Sequence, residues 1–234
     1  MLPLNDDTPT DSKPVVTVTF IVACSLVFLY QSSLLPGPGE TFVYQYGAIP
    51  AVVFGHTTLP PEVMAIPAFS TVLTSMFLHG SWMHLIGNML YLWVFGNNVE
   101  DVMGSSRFVV FYLLCGIVAA FSHALTDPAS TVPMVGASGA VSGVLGAYLL
   151  LFPHARILLL APVVGTTYVP AGIVLGFWFV MQILSGGASL GSQGGGVAFF
   201  AHIGGFVAGM VLIGFFKRPG VRFFSPARTS SWRS

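Results

Sequence analysis

Met134-Val-Gly-Ala-Ser-Gly-Ala-Val-Ser-Gly-Val-Leu-Gly146 sets two serines among four glycines in a stretch that otherwise reads as a membrane span. Its surroundings make that reading firm. Only 7% of the 234 residues are charged and 54% are hydrophobic, whereas soluble domains carry roughly 25% charged residues. The composition is that of an integral membrane protein.

Five further apolar stretches of near-spanning length accompany this one, which places segments near 15–33, 81–98, 107–126, 135–152, 168–184 and 197–216. The expected fold is an all-α integral membrane protein: a six-transmembrane-helix bundle with a long, partly membrane-inserted first extracytoplasmic loop. That loop, from Leu34 to about Gly80, is rich in Pro, Gly and aromatic residues, which favour the headgroup region. Residues 1–14 form a polar N-terminal tail, 15–216 the six-span core, and 217–234 a basic C-terminal tail. The first span follows an acidic tail and has no small-residue cleavage site, so it reads as an anchor rather than a signal peptide. Ser185 to Gly196 is Gly/Ser-rich and reads as a movable cap. Leu158–Thr167 leads into the fifth span.

Charge is one-sided. With the N-terminus inside, Lys13, Arg107, Arg156, Lys217, Arg218, Arg222, Arg228 and Arg233 all fall on the inner side, while Glu40, Glu62 and Asp127 lie in outer connections. The positive-inside rule then puts both termini in the cytoplasm. Net charge is zero, so nothing suggests nucleic acid as a partner; the basic tail suits anionic lipid. Cys24 and Cys115 sit inside spans as ordinary core thiols. No cofactor is expected. No metal site is expected either, since neither His79 nor His84 has the His-Glu-x-x-His context of a zinc protease.

Three spans carry polar residues that hydrocarbon disfavours: His84 and Asn88 in the second, Ser138 and Ser142 in the fourth, His202 in the sixth. A lone serine in such a helix usually bonds a backbone carbonyl, and a lone histidine can join helices. These residues, however, all fall within about the first two turns of spans running outside to inside, at comparable depths of roughly 5–12 Å. Packing residues have no reason to share a depth; a site assembled from three helices must. His84 and Asn88 are four apart and share a face. Ser138 could be a nucleophile, His202 its base, and the Ser138 N–H with His84 and Asn88 the oxyanion donors. Ala201, Gly205 and Gly209 repeat at four-residue spacing and match Gly139 and Gly143, a small-residue seam that brings the two backbones together. The expected spans contain no Asp or Glu, which leaves at most a Ser-His dyad and excludes an intramembrane aspartyl protease.

Gly136-Ala-Ser-Gly139, Ala201-His-Ile-Gly-Gly205 and His79-x-x-x-x-His84-x-x-x-Asn88, with Glu100-x-x-x-Gly104-x-x-Arg107 and the long first loop, resemble the rhomboid intramembrane serine proteases. The resemblance covers about 15 to 216. It implies an endopeptidase with Ser138 as nucleophile, His202 as general base, and His84 and Asn88 in the oxyanion hole. His79 matches a family histidine near the substrate or water entrance. Single-span or other transmembrane proteins would be the substrates and membrane lipid the surroundings, with the site toward the extracytoplasmic face. The compact core and an acidic tail without transit-peptide character lead to the expectation of a bacterial plasma membrane. The alternative is a catalytically silent relative that binds membrane clients in trafficking or quality control. Some relatives carry a tyrosine one turn after the nucleophile, packed on the base; here that position is Ser142, which leaves open what orients His202. Ser142 reads as packing, and Glu100, Gly104 and Arg107 as organisers of an inner turn through capping and charge pairs.

Overall fold

The computed structural model describes residues 2–161, 165–189 and 197–225. It is mostly helical. The long helices are α1 (Val15–Ser33), α5 (Trp82–Met103), α6 (Ser105–Ala124), α7 (Ser138–Leu151), α8 (Ala171–Ser189) and α9 (Phe199–Phe216). Four of them, α1, α6, α8 and α9, are long and apolar enough to cross a membrane. The connection after α1 holds three short helices, α2 (Pro38–Tyr46), α3 (Pro50–Val53) and α4 (Ala68–Thr74), and a 3₁₀ turn at Ser75–Phe77.

The all-α expectation is corrected at one end of the bundle. A three-stranded antiparallel sheet stands there, ordered β1 (Leu2–Asp6), β2 (Arg156–Ala161), β3 (Gly165–Pro170). β2 and β3 form a hairpin, with Ala161 opposite Gly165 and Arg156 opposite Pro170, and β1 joins along β2. The run Arg156-Ile-Leu-Leu-Leu-Ala161 looks like a membrane approach because it is continuously apolar. Its β-branched neighbours Thr166, Thr167 and Val169 and the positive φ of Gly165 (76°) favour a hairpin instead. The N-terminal tail is therefore a built strap, and the fifth long helix begins three residues later than expected. Ser185–Ser189, read as the start of a cap, is the last turn of α8; Leu190–Gly196, and the tail from Pro226 with Arg228 and Arg233, lie outside the described residues.

α5 also runs further than expected, to Met103, so Glu100 and Asp101 lie in its last turn. Both carboxylates are buried and consumed by backbone and hydroxyl donors. Glu100 accepts from the Val16 N–H (2.9 Å), the Thr17 N–H and Oγ1 (2.8 Å each) and Ser105 Oγ (2.7 Å), capping the start of α1 across the bundle. The expected capping role holds; Arg107 is exposed. Asp101 accepts from the Asp11 and Ser12 N–H groups (3.2 and 3.0 Å). After α9, the Arg218 N–H bonds the Val102 carbonyl (3.0 Å). The start of α1, the end of α5 and the end of α9 therefore share one end of the molecule, and both described termini lie there.

The expected seam is present. A methyl group at Gly205 would overlap the Gly139 carbonyl, one at Gly209 the Gly143 carbonyl, and one at Gly146 the Phe206 carbonyl. The α7 and α9 backbones thus touch along three turns, an approach that only glycine permits.

Candidate active site

The starts of α5, α7 and α9 converge at the opposite end. Between them opens a cavity of about 1400 Å³ whose walls include His84, Asn88, Ser138, Ser142, Trp178 and His202. The three-helix constellation expected from shared depth is brought together in space.

Ser138 is the first residue of α7, so its own N–H has no intrahelical acceptor. The segment before it is held by the first connection: Ala48 and Met134 exchange two backbone bonds (3.1 and 2.7 Å), and the Gly136 N–H donates to the Ser75 carbonyl (2.9 Å). Gly136 adopts φ 127°, and a methyl group there would stand 2.6 Å from His84 Cε1 and 2.7 Å from Nε2. The His84 ring occupies the room that any side chain at Gly136 would need.

His84 is held at the start of α5, whose N-cap Ser81 accepts the His84 N–H (3.1 Å). Its Nδ1 accepts the Gly80 N–H in a long bond (3.5 Å). With Nδ1 as acceptor the ring proton belongs on Nε2, the nitrogen next to Gly136. Asn88, one turn further along, is buried, and its Nδ2 has no partner among the described residues.

His79 is placed differently from the other four. It is fully buried behind His84, with ring centroids 5.2 Å apart, and its backbone is clamped by Gln31 Nε2 donating to its carbonyl (2.8 Å). Neither ring nitrogen has a partner among the described residues. Burial first, then the neighbouring His84, hold its pKa down at about 4.

His202 lies one turn into α9 and shares the cavity with Ser138; among the described residues no hydrogen bond joins Ser138 Oγ to His202. Ser142 Oγ donates to the Ser138 carbonyl (2.7 Å), the packing role expected for it. Two residues not singled out in the sequence meet His202 instead. Gln182 Oε1 is 2.8 Å from His202 Nδ1, and the Trp178 ring lies 5.9 Å from the imidazole, tilted 35°. Both come from α8. A glutamine alone in an apolar helix was the available signal, since an amide in hydrocarbon looks for a partner on a neighbouring helix.

The rhomboid domain model matches residues 67–219, which hold α4 to α9 and the whole cavity constellation. The chain belongs to the rhomboid family. It is 34% identical over 188 residues to Rhomboid protein 1, mitochondrial, of Saccharomyces cerevisiae, covering 74% of this chain and 52% of that protein. It is 37% identical over 131 residues to Rhomboid protease GluP of Bacillus subtilis (56% and 25%), and 29% identical over 143 residues to the human Presenilin-associated rhomboid-like protein, mitochondrial (60% and 34%). The chain thus spans between a quarter and about half of these relatives' length.

Proposed function

We propose that this rhomboid-family chain is an intramembrane serine endopeptidase that cleaves peptide bonds in or near transmembrane segments of other membrane proteins. The observation that carries the reading is the convergence of Ser138, His202, His84 and Asn88 from three helix starts on one cavity. In this reading α5 and α7 complete six spans with the four apolar helices, and the first connection dips into the outer leaflet. Lys13, Arg107, Arg156, Lys217 and Arg218 gather at the strapped end, which favours that end in the cytoplasm and the cavity toward the outer face. A bacterial plasma membrane is the proposed home.

Ser138 Oγ attacks the scissile carbonyl carbon while His202 Nε2 takes its proton. The carbonyl oxygen becomes an oxyanion, met by the Ser138 N–H, His84 Nε2–H and Asn88 Nδ2–H. Collapse breaks the C–N bond, His202 returns the proton to the leaving amine, and Ser138 is left acylated. Water, deprotonated by His202, then attacks the acyl carbon and frees the acid. His202 serves only while neutral, so activity falls in acid. A substrate helix must first release its hydrogen-bonded backbone, which favours small, helix-destabilising residues near the outer face.

The test is cleavage of a model single-span protein by purified protein in detergent or lipid. Ser138→Ala and His202→Ala each lose about a thousandfold or more in rate. Equal cleavage by wild type and Ser138→Ala sinks the serine mechanism. No cleavage by any form, with the single-span protein retained in a stable complex, moves the reading to client binding.

A further inference from the structure

We infer that Gln182 is a positioning residue for His202, a neutral amide that orients the base and selects its tautomer. The inference rests on the protease reading above and names a member of its site that the Ser-His pair leaves unfilled.

α8 presents one packed face to the bundle. Leu175 is buried, Phe179 stacks on Phe206 (4.4 Å between centroids, 17°), and Gly186 lies against Phe199 of α9, 3.4 Å from where a methyl group would stand. Trp178 and Gln182 are one turn apart on that face and bracket His202. Gln182 stands seven residues before the end of α8, about 10 Å along the helix. His202 is three residues past the start of α9, and the 2.8 Å contact between Gln182 Oε1 and His202 Nδ1 is what brings the two side chains together.

The contact constrains chemistry as well as position. An amide oxygen only accepts, so His202 Nδ1 must be the donor in the 2.8 Å contact with Gln182 Oε1. The neutral ring then carries its proton on Nδ1 and leaves Nε2 with a free lone pair, the form able to take the proton of Ser138. When the ring becomes imidazolium during the reaction, the same oxygen faces the fully charged N–H and strengthens its bond. Trp178 limits rotation of the ring from one side. With Ser142 occupied by the Ser138 carbonyl, α8 rather than α7 holds the base, and it does so without burying a carboxylate beside it. A neutral acceptor suits this place, because an unpaired carboxylate in a span is costly whenever the histidine is neutral.

Two Gln182 variants and two readouts test this. Gln182→Met keeps length and apolar packing but removes the acceptor, and Gln182→Glu keeps an acceptor at the same reach. The expected result for Gln182→Met is a kcat about tenfold to a hundredfold lower, with little change in KM and normal thermal unfolding. Gln182→Glu retains most activity, with the acid limb of its pH profile displaced to higher pH, because a carboxylate favours imidazolium. The cavity's other titratable groups, His84, Tyr91, His123 and Asp127, are the same in all forms. The second readout is the ¹⁵N spectrum of histidine-labelled protein, with His202→Ala assigning the signal. Wild type should show the proton on Nδ1, and Gln182→Met a mixture of tautomers. A wild-type proton on Nε2, or a Gln182→Met form with unchanged kcat and tautomer, overturns the inference. Should Ser138→Ala cleave like wild type, the protease reading falls, while the tautomer spectra still decide the Gln182 contact.

Discussion

The buried carboxylates at one end of this bundle and the site groups at the other are treated in opposite ways. At the strapped end, Glu100 is met by four donors, and Asp101 by Asp11 and Ser12 near the end of the N-terminal tail. Asp6 accepts from Tyr148 Oη (2.5 Å) and Asn98 Nδ2 (2.8 Å). These carboxylates tie the N-terminal strap, α1, α5 and α7 together. At the cavity end, Asn88 Nδ2 is left without a partner among the described residues, and the N–H of Ser138, first residue of α7, has no intrahelical acceptor. Satisfied groups hold a fold, and unsatisfied ones beside a cavity keep bonding capacity for something that arrives. Variants at the cavity end should therefore change rate without changing stability, and variants at the strapped end the reverse.

Among variants that separate the two ends, Asn88→Ala gives the largest effect. On the protease reading, where Asn88 is one of the proposed oxyanion donors, its loss lowers kcat about a hundredfold to a thousandfold with an unchanged unfolding temperature, as measured by cleavage kinetics beside thermal unfolding in detergent. An equal fall in stability would place Asn88 with the structural groups. Glu100→Ala comes next. It leaves buried donors on α1 and Ser105 unpaired and costs about 3 kcal/mol of stability, with cleavage per folded molecule unchanged; a rate loss at full stability would show that the ends are coupled. Asp6→Ala frees Tyr148 and Asn98 and costs about 1–2 kcal/mol, again read by unfolding. Burial raises the pKa of Asp6, so its charged form is the less favoured one in the fold. The wild-type strap should then tighten, not loosen, as mildly acidic pH protonates it.

The smallest effect crosses the comparison. His79 belongs to the cavity end yet is packed like a core residue, with a pKa near 4 against the usual 6.5. Between those values the unfolded chain binds a proton that the fold does not, so stability is complete above about pH 6.5 and declines as pH falls toward 4. His79→Phe should flatten that decline, which unfolding temperatures at pH 7 and pH 5 would detect. An unchanged slope would assign the acid sensitivity elsewhere.

Much of the site was readable in the chain because helix geometry makes it so. A rise of 1.5 Å per residue turns the positions of His84, Ser138 and His202 within their spans into depths, and the spacing of Gly139, Gly143, Gly205 and Gly209 into a seam. Gln182 escaped notice because its partner is twenty residues away on another helix. The strap escaped because Leu2–Asp6 is five residues long and holds a proline and two polar residues, with no periodicity that announces a strand. Glu100 and Asp101 were placed beyond the second span because apolar windows end at the first charge, whereas a helix continues wherever its carboxylates find donors.

Composition and periodicity alone determined a membrane-embedded helical core and four polar residues grouped near the starts of three apolar segments, since these follow from transfer energies and local geometry. Only the tertiary structure decided which side chains touch: that His84 fills the space over Gly136, that Glu100 caps a helix eighty residues earlier in the chain, and that His202 is steadied from α8. Such contacts depend on how far apart two backbones settle and which rotamers then meet. Those distances are set by packing across the whole bundle, which no single stretch of sequence contains.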